Sequence, residues 1–211
     1  MDIRFLAIEG NIGAGKTSLA KMISEEFEAR LVLEQFADNP FLPKFYNDPE
    51  KYSFPLEMSF LAERYNQLKK GISDLELFSQ FTVADYYFIK SLIFAKSTLS
   101  DDEYNLYRQF FEIIYGKLPR PDLYVYLHVR PERLLKNIEM RGRDYEKTIT
   151  KEYLDKIHQG YLNFIKQQAD FPILVLDTND LDFVHNQSDY ERIKEVIFQN
   201  DYKKGVNTVR L

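Results

Sequence analysis

Gly10-Asn11-Ile12-Gly13-Ala14-Gly15-Lys16-Thr17 decides how this chain reads. It matches G-x-x-x-x-G-K-[ST], the loop that cradles the phosphates of a nucleoside triphosphate. Its surroundings are those the loop needs. Before it, Phe5-Leu6-Ala7-Ile8 is an apolar run that reads as a buried strand. After it, Leu19, Ala20, Met22, Ile23 and Phe27 recur at helical spacing. Glycines let consecutive backbone N–H groups curl around an anion without Cβ clashes. The helix N-terminus adds a partial positive charge. Lys16 is placed to reach the β- and γ-phosphates, and Thr17 to hold Mg²⁺ through its hydroxyl. Gly10 through Ser18 is therefore the expected ATP-binding segment.

Composition narrows the class. At 211 residues, nearly half of them apolar, the chain suits one α/β domain with a sizeable core. The net charge is −5 and there is no long basic run, which argues against a duplex nucleic acid partner. There is no cysteine, so disulfides, thiol catalysis and Cys-ligated zinc are excluded; a cytoplasmic protein is compatible with this. His128, His158 and His185 show no metal-ligand spacing. No apolar stretch approaches membrane-spanning length. Met1-Asp2-Ile3-Arg4 is too short a lead-in for a signal peptide. The 17 Phe and 15 Tyr are mostly core, with a few available to stack on a planar ligand.

Five short apolar segments read as strands: 3–8, 30–33, 78–83, 123–129 and 173–176. Helical periodicity fills the gaps. Strands alternating with helices imply a parallel sheet covered on both faces. A mostly helical insertion, 40–77, separates the second and third strands. Pro131 suits the first turn of a helix after the fourth strand, and that helix should end near Gly142. Ligands in such sheets bind at the carboxyl ends of the strands.

Those ends carry candidates. Glu34 follows the second strand, where a carboxylate would face the γ-phosphate and accept a hydroxyl proton; the plainer alternative is a solvated strand-end acid. Asp85 follows the third strand. It suits a Mg²⁺-associated carboxylate or the N-cap of the next helix. Glu57 and Arg64 share one helix face with Phe60 and Leu61. Their rise of roughly 10 Å could bracket a flat ligand, or they could be the exposed ends of an amphipathic helix. Arg141-Gly142-Arg143 with Glu146 reads as a phosphate-clamping lid over 140–150, or as a charge-complemented helix end.

Together these residues resemble the deoxyribonucleoside kinase family, closest to the bacterial deoxyguanosine and deoxyadenosine kinases. The markers run along nearly the whole chain: Ile8-Glu9-Gly10, Glu34, Asn39-Pro40-Phe41, Lys44-Phe45-Tyr46, Ser53-Phe54-Pro55-Leu56-Glu57-Met58, Ala84-Asp85-Tyr86, Ile93-Phe94-Ala95 and Arg141-Gly142-Arg143 with Glu146. The resemblance implies a P-loop kinase fold with a five-stranded parallel sheet flanked by helices, and a homodimer formed through two helices per subunit. It implies that Glu34 is the base for the sugar 5′-hydroxyl and that Tyr46 and Glu146 hold the 3′-hydroxyl. The same resemblance implies that Phe94 stacks on the base, that Arg141 and Arg143 close the lid, and that Asp182-Phe183 contacts the ATP adenine. Glu57 sits where many members have a base-reading Gln, with Arg64 as its arginine partner. An ionised Glu57 would favour guanine, which offers two adjacent donors. Many members follow the acid after the third strand with Arg; here Tyr86 follows Asp85, and the cation that assists the phosphoryl group is left open.

The implied activity is ATP-dependent 5′-phosphorylation of a purine deoxynucleoside in deoxynucleotide salvage. A nucleoside monophosphate kinase would need a further arginine cluster for the acceptor phosphate, and the insertion offers only Arg64. A GTPase switch would need N-K-x-D and D-x-x-G, and neither is present.

Overall fold

The structure, a computed structural model, describes residues 3–35, 39–78, 81–199 and 201–210. Among these, six strands form one parallel sheet: β1 (Phe5–Gly10), β2 (Arg30–Val32), β3 (Thr82–Ala84), β4 (Leu123–His128), β5 (Pro172–Asp177) and β6 (Gly205–Arg210). Their order is β2-β3-β1-β4-β5-β6. The expected five strands become six. The addition, β6, has no apolar run, and its valines at 206 and 209 break a period of two. It is an edge strand with β5 as its sole neighbour, and its Val206, Thr208 and Arg210 are exposed. Such a strand needs few buried side chains, so it leaves little trace in hydropathy.

The helices are α1 (Lys16–Glu26), α2 (Leu42–Asn47), α3 (Pro49–Phe78), α4 (Lys90–Thr98), α5 (Asp101–Tyr115), α6 (Pro131–Arg141), α7 (Lys151–Gln167) and α8 (Gln187–Gln199). A 3₁₀ turn, Asp144–Glu146, follows α6. The third strand is shorter than expected. Phe78 belongs to α3, 79 and 80 lie outside the described residues, and the strand begins at Thr82. An isolated aromatic does not distinguish a helix end from a strand start. The helix after the fourth strand matches expectation, with Pro131 in its first turn and Gly142 closing it at φ 70.

Side chains alternate across the central strands and build a core on each face. Leu6, Ile8, Val125, Leu127 and Leu174 pack with Leu19 and Ile23 of α1, Leu134 of α6 and Ile193 of α8. Phe5, Ala7, Tyr124, Tyr126 and Ile173 pack with Leu61 of α3, Ile93 of α4, Phe111 of α5 and Tyr161 of α7. A third cluster, Leu42, Phe45, Leu56 and Phe60, joins α2 to α3. No helix among the described residues is long and apolar enough to cross a membrane.

Candidate active site

The phosphate loop leaves β1 at Gly10 and enters α1 at Lys16. Gly13 and Gly15 take φ values of 82 and 86, open to glycine at little cost. A Cβ at Gly13 would come within 2.9 Å of the Leu134 carbonyl oxygen, and one at Gly15 within 2.7 Å of the Phe183 ring. The loop is anchored from outside. The Asn11 amide donates to the Leu154 carbonyl at 2.8 Å, and the Asn137 amide donates to the Gly13 carbonyl at 2.8 Å. Glu9, fully buried before the loop, accepts from the Tyr87 N–H and the Tyr161 hydroxyl, each at 2.8 Å. Lys16 Nζ donates to the Asn11 carbonyl at 2.8 Å. Burial, then the neighbouring Lys90, push its ammonium down to about 8.

Asp85 ties three segments together. Its Oδ2 accepts from the Thr17 hydroxyl at 2.5 Å, and its Oδ1 accepts from the Glu34 N–H at 2.7 Å. It does not cap the next helix, because α4 starts only at Lys90 with Ile89 before it. The N-cap alternative is therefore excluded. A hydroxyl and a carboxylate converging beside the phosphate loop are hard oxygen donors that fit Mg²⁺, which takes one or two protein ligands and completes its shell with phosphates and water. No cluster of three or more His, Cys, Asp or Glu able to hold a metal exists among the described residues.

Glu34 is not a solvated acid. Its side chain is 9% exposed and sits between two cations. Arg64 donates to Oε1 through Nη2 at 2.6 Å and Nε at 2.9 Å, and Lys90 donates to Oε2 at 2.5 Å. Burial alone would raise this carboxyl, but Lys90 and Arg64 outweigh it and bring it down to about 2. Lys90 was not singled out by sequence reasoning. Two signals point to it: a lysine inside the apolar run Tyr86-Tyr87-Phe88-Ile89-Lys90-Ser91-Leu92-Ile93-Phe94, and its helical spacing from Phe94. Buried lysine needs a partner, and spacing of four puts it on the Phe94 face. Its ammonium lies 5.3 Å from the Phe94 ring centroid. Tyr86 turns away, its hydroxyl donating to Gln67 on α3 at 2.7 Å.

Glu57 and Arg64 are buried, not the exposed ends of an amphipathic helix. Arg64 is committed elsewhere: besides Glu34, its Nη1 donates to the Ser91 hydroxyl at 2.8 Å. Glu57 Oε1 accepts from the Thr98 hydroxyl at 3.0 Å, and Oε2 has no hydrogen-bond partner. Burial pushes this carboxyl up to about 7.

One cavity collects Lys16, Thr17, Glu34, Tyr46, Glu57, Arg64, Asp85, Phe94, Arg141, Arg143 and Glu146 in its walls, so the expected acceptor-site residues come together. Lys90 lines it as well. In its wall Glu146, 5% exposed, accepts from Arg141 Nη2 at 2.6 Å and from Arg143 Nη1 at 3.3 Å. Tyr145 stacks on Tyr46 with ring centroids 6.1 Å apart, and burial pushes the Tyr46 hydroxyl well up.

A second, open cavity runs from residues 13–18 to the loop after β5 and includes Asp182 and Phe183. The Phe183 ring is buried against Gly15 and the core, so it braces the phosphate loop from behind. The Asp182 carboxylate pairs with the His185 ring at 3.0 Å. Arg133, also missed in the sequence, holds this loop in shape by donating to the carbonyls of Thr178, Asn179 and Leu181.

Comparison with known proteins agrees with this geometry. The family model for deoxynucleoside kinase matches residues 6–201. The deoxyguanosine kinase of Bacillus subtilis (strain 168) is 42% identical over 193 residues, covering 90% of this chain and 93% of that protein. The deoxyadenosine/deoxycytidine kinase of the same organism is 32% identical over 199 residues, covering 91% and 90%. The structure of deoxyadenosine kinase from M. mycoides with bound dATP aligns with a TM-score of 0.79 at 27% identity, over 92% of this chain and 98% of that one. The match spans both cavities and the sheet up to β5, and the chain belongs to the deoxynucleoside kinase family, an ATP-using family of phosphotransferases.

Proposed function

We propose that this kinase moves the γ-phosphoryl group of ATP to the 5′-hydroxyl of a purine deoxynucleoside, with deoxyguanosine favoured. The observation that carries the reading is the order of groups along one cavity. A chain of contacts sets it: Thr17 bonds Asp85, Asp85 bonds the Glu34 N–H, and the Glu34 carboxylate pairs with Lys90. Lys90 lies over the Phe94 ring, and Thr98, one turn past Phe94, bonds Glu57, while Lys16 lines the same cavity beside Thr17. That order matches triphosphate, sugar hydroxyl and base. Lys16 stabilises charge on the phosphates, and Thr17 with Asp85 holds Mg²⁺. Glu34 accepts the hydroxyl proton. A carboxyl held near 2 is a weak base, but in a loose phosphoryl-transfer transition state the hydroxyl keeps its proton until late, so alignment counts for more than basicity. Tyr46 and Glu146 take the 3′-hydroxyl, and Arg141 and Arg143 exchange Glu146 for phosphate oxygens as the lid closes. The loop at Asp182 and Phe183 borders the adenine of ATP.

Deoxyguanosine is favoured because Glu57 keeps an oxygen free for donors, and guanine presents two side by side. The relative that is 42% identical is named a deoxyguanosine kinase, which supports the choice. Acceptance of deoxyadenosine or a broader range is the second reading, supported by relatives so named at 32% and 34% identity. ATP-dependent turnover across the common deoxynucleosides and ribonucleosides tests both. The reading fails if only nucleoside monophosphates are phosphorylated, or if ATP is hydrolysed without an acceptor. A homodimer completes the proposal. Leu106, Phe110 and Ile113 stand 45%, 44% and 64% exposed along α5, an apolar stripe suited to a second subunit. Sedimentation at a single-subunit mass would refute it.

A further inference from the structure

Glu57 lies in the cavity wall with one oxygen held and the other bare. Thr98 on α4 donates to Oε1, and Oε2 is buried with no partner. The charged groups that face it are already engaged. Arg64, on the same helix, gives its guanidinium to Glu34 and Ser91. Lys90 on α4 gives its ammonium to Glu34. Glu34, after β2, is a like charge and opposes ionisation of Glu57. Tyr107 of α5 and Tyr153 of α7 also sense Glu57, and both phenols stay neutral because burial raises them. Arg64 and Lys90 favour the ionised form from a distance, but among the described residues no cation is hydrogen-bonded to Glu57, so its proton is open to control by whatever base sits against it.

We propose that Glu57 is a protonatable base reader, pairing as a carboxylate with guanine and as a carboxylic acid with adenine, so that pH sets which deoxynucleoside is preferred. The inference rests on the kinase reading above for where the base sits. The chemistry is that of hydrogen-bond patterns. Guanine presents two donors, N1–H and the N2 amino group, and a carboxylate accepts both. Adenine presents one amino donor beside the acceptor N1. A carboxylate meets that acceptor with a second acceptor, whereas a carboxylic acid donates its O–H to N1 and accepts from the amino group. The acid form does what a glutamine amide would do at this position. Cytosine, with an amino donor beside N3, shows the same pattern as adenine. Burial holds the Glu57 proton into the neutral range, so both forms are within reach near pH 7.

The test is kcat/KM for deoxyguanosine and for deoxyadenosine from pH 5.5 to 8.5, in the full protein and in Glu57→Gln. Taking the ratio of the two substrates removes pH effects on the shared phosphoryl-transfer step. We expect the guanine-to-adenine ratio to rise about tenfold with pH, as one mismatched buried acceptor would give. In Glu57→Gln the ratio should be flat and shifted toward adenine. A flat ratio in the unaltered protein, or the same slope in Glu57→Gln, overturns the proposal. If no nucleoside is phosphorylated, the kinase reading fails, and calorimetry in two buffers of different ionisation enthalpy still decides the present one. Deoxyadenosine should then bind with proton uptake at pH 8, and deoxyguanosine with proton release at pH 6. Both exchanges should vanish in Glu57→Gln. Binding without proton exchange, or no binding, overturns it.

Discussion

Glu34 and Glu57 line the same cavity, and both are buried, yet their carboxyls move in opposite directions. Two cations within 2.6 Å hold Glu34 ionised down to about 2. A single hydroxyl serves Glu57, and its proton stays on up to about 7. Burial is the largest influence on each; the placement of Arg64 and Lys90 decides the outcome. Arg64 shares a helix with Glu57 but reaches across to Glu34. The end of the cavity where phosphoryl transfer is proposed therefore has a fixed charge, and the end proposed for the base has an adjustable one.

Removing the fixed charge should have the largest effect. Glu34→Gln keeps size but removes the proton acceptor and the charge that Arg64 and Lys90 hold in line, and kcat should fall by roughly 10²–10⁴ while the nucleoside KM changes little. If KM rises steeply and kcat at saturation survives, Glu34 binds and does not accept the proton. Lys90→Met leaves Arg64 as the sole cation on Glu34. The variant should unfold about 1–3 kcal/mol more easily, below the ~3–5 kcal/mol of an ion left wholly unpaired. Denaturant midpoints measure this, and unchanged stability would show that Lys90 adds nothing to the pairing.

Glu57 should show itself in the pH dependence of stability. Unfolded, its carboxyl titrates near about 4.3; folded, near 7. Between these values the unfolded chain has released a proton that the folded one keeps. Stability due to this group is thus full at low pH and lost as pH rises through that window, at up to about 1.4 kcal/mol per pH unit. Melting curves of Glu57→Gln against the unaltered protein should diverge from pH 5 to 7 in favour of the variant, then run parallel. Curves that stay parallel throughout would place Glu57 among ordinary acids. The smallest effect lies at the lid. Residues 140–147 should gain hydrogen-exchange protection when a bisubstrate analogue binds, as Arg141 and Arg143 leave Glu146 for phosphate. Unchanged exchange there would leave Glu146 as their permanent partner.

Much of this was legible in the sequence. The phosphate loop, the parallel sheet and the α6 boundaries follow from local signals: glycine spacing, apolar runs, Pro131 and Gly142. The positions of Glu34 and Asp85 at strand ends point to the cleft, because strand carboxyl ends converge there in any parallel sheet. What stayed hidden depends on distant residues. Lys90 meets Glu34 across 56 positions, and Arg133 reaches the carbonyls of Thr178, Asn179 and Leu181 across more than 40. Spacing of seven placed Glu57 and Arg64 on one helix face but could not reveal that Arg64 is used up by Glu34 and Ser91. β6 escaped because an edge strand that is half in solvent needs no apolar pattern.

The contrast between the two glutamates is best tested by carbon NMR of protein labelled at the glutamate side-chain carboxyl, without ligands, from pH 5 to 9. Glu34→Gln and Glu57→Gln identify the two signals. The account predicts that the Glu57 carboxyl titrates near 7 while the Glu34 carboxyl stays ionised throughout. A Glu57 signal already fully ionised at pH 5, or a Glu34 signal titrating within this range, would contradict it.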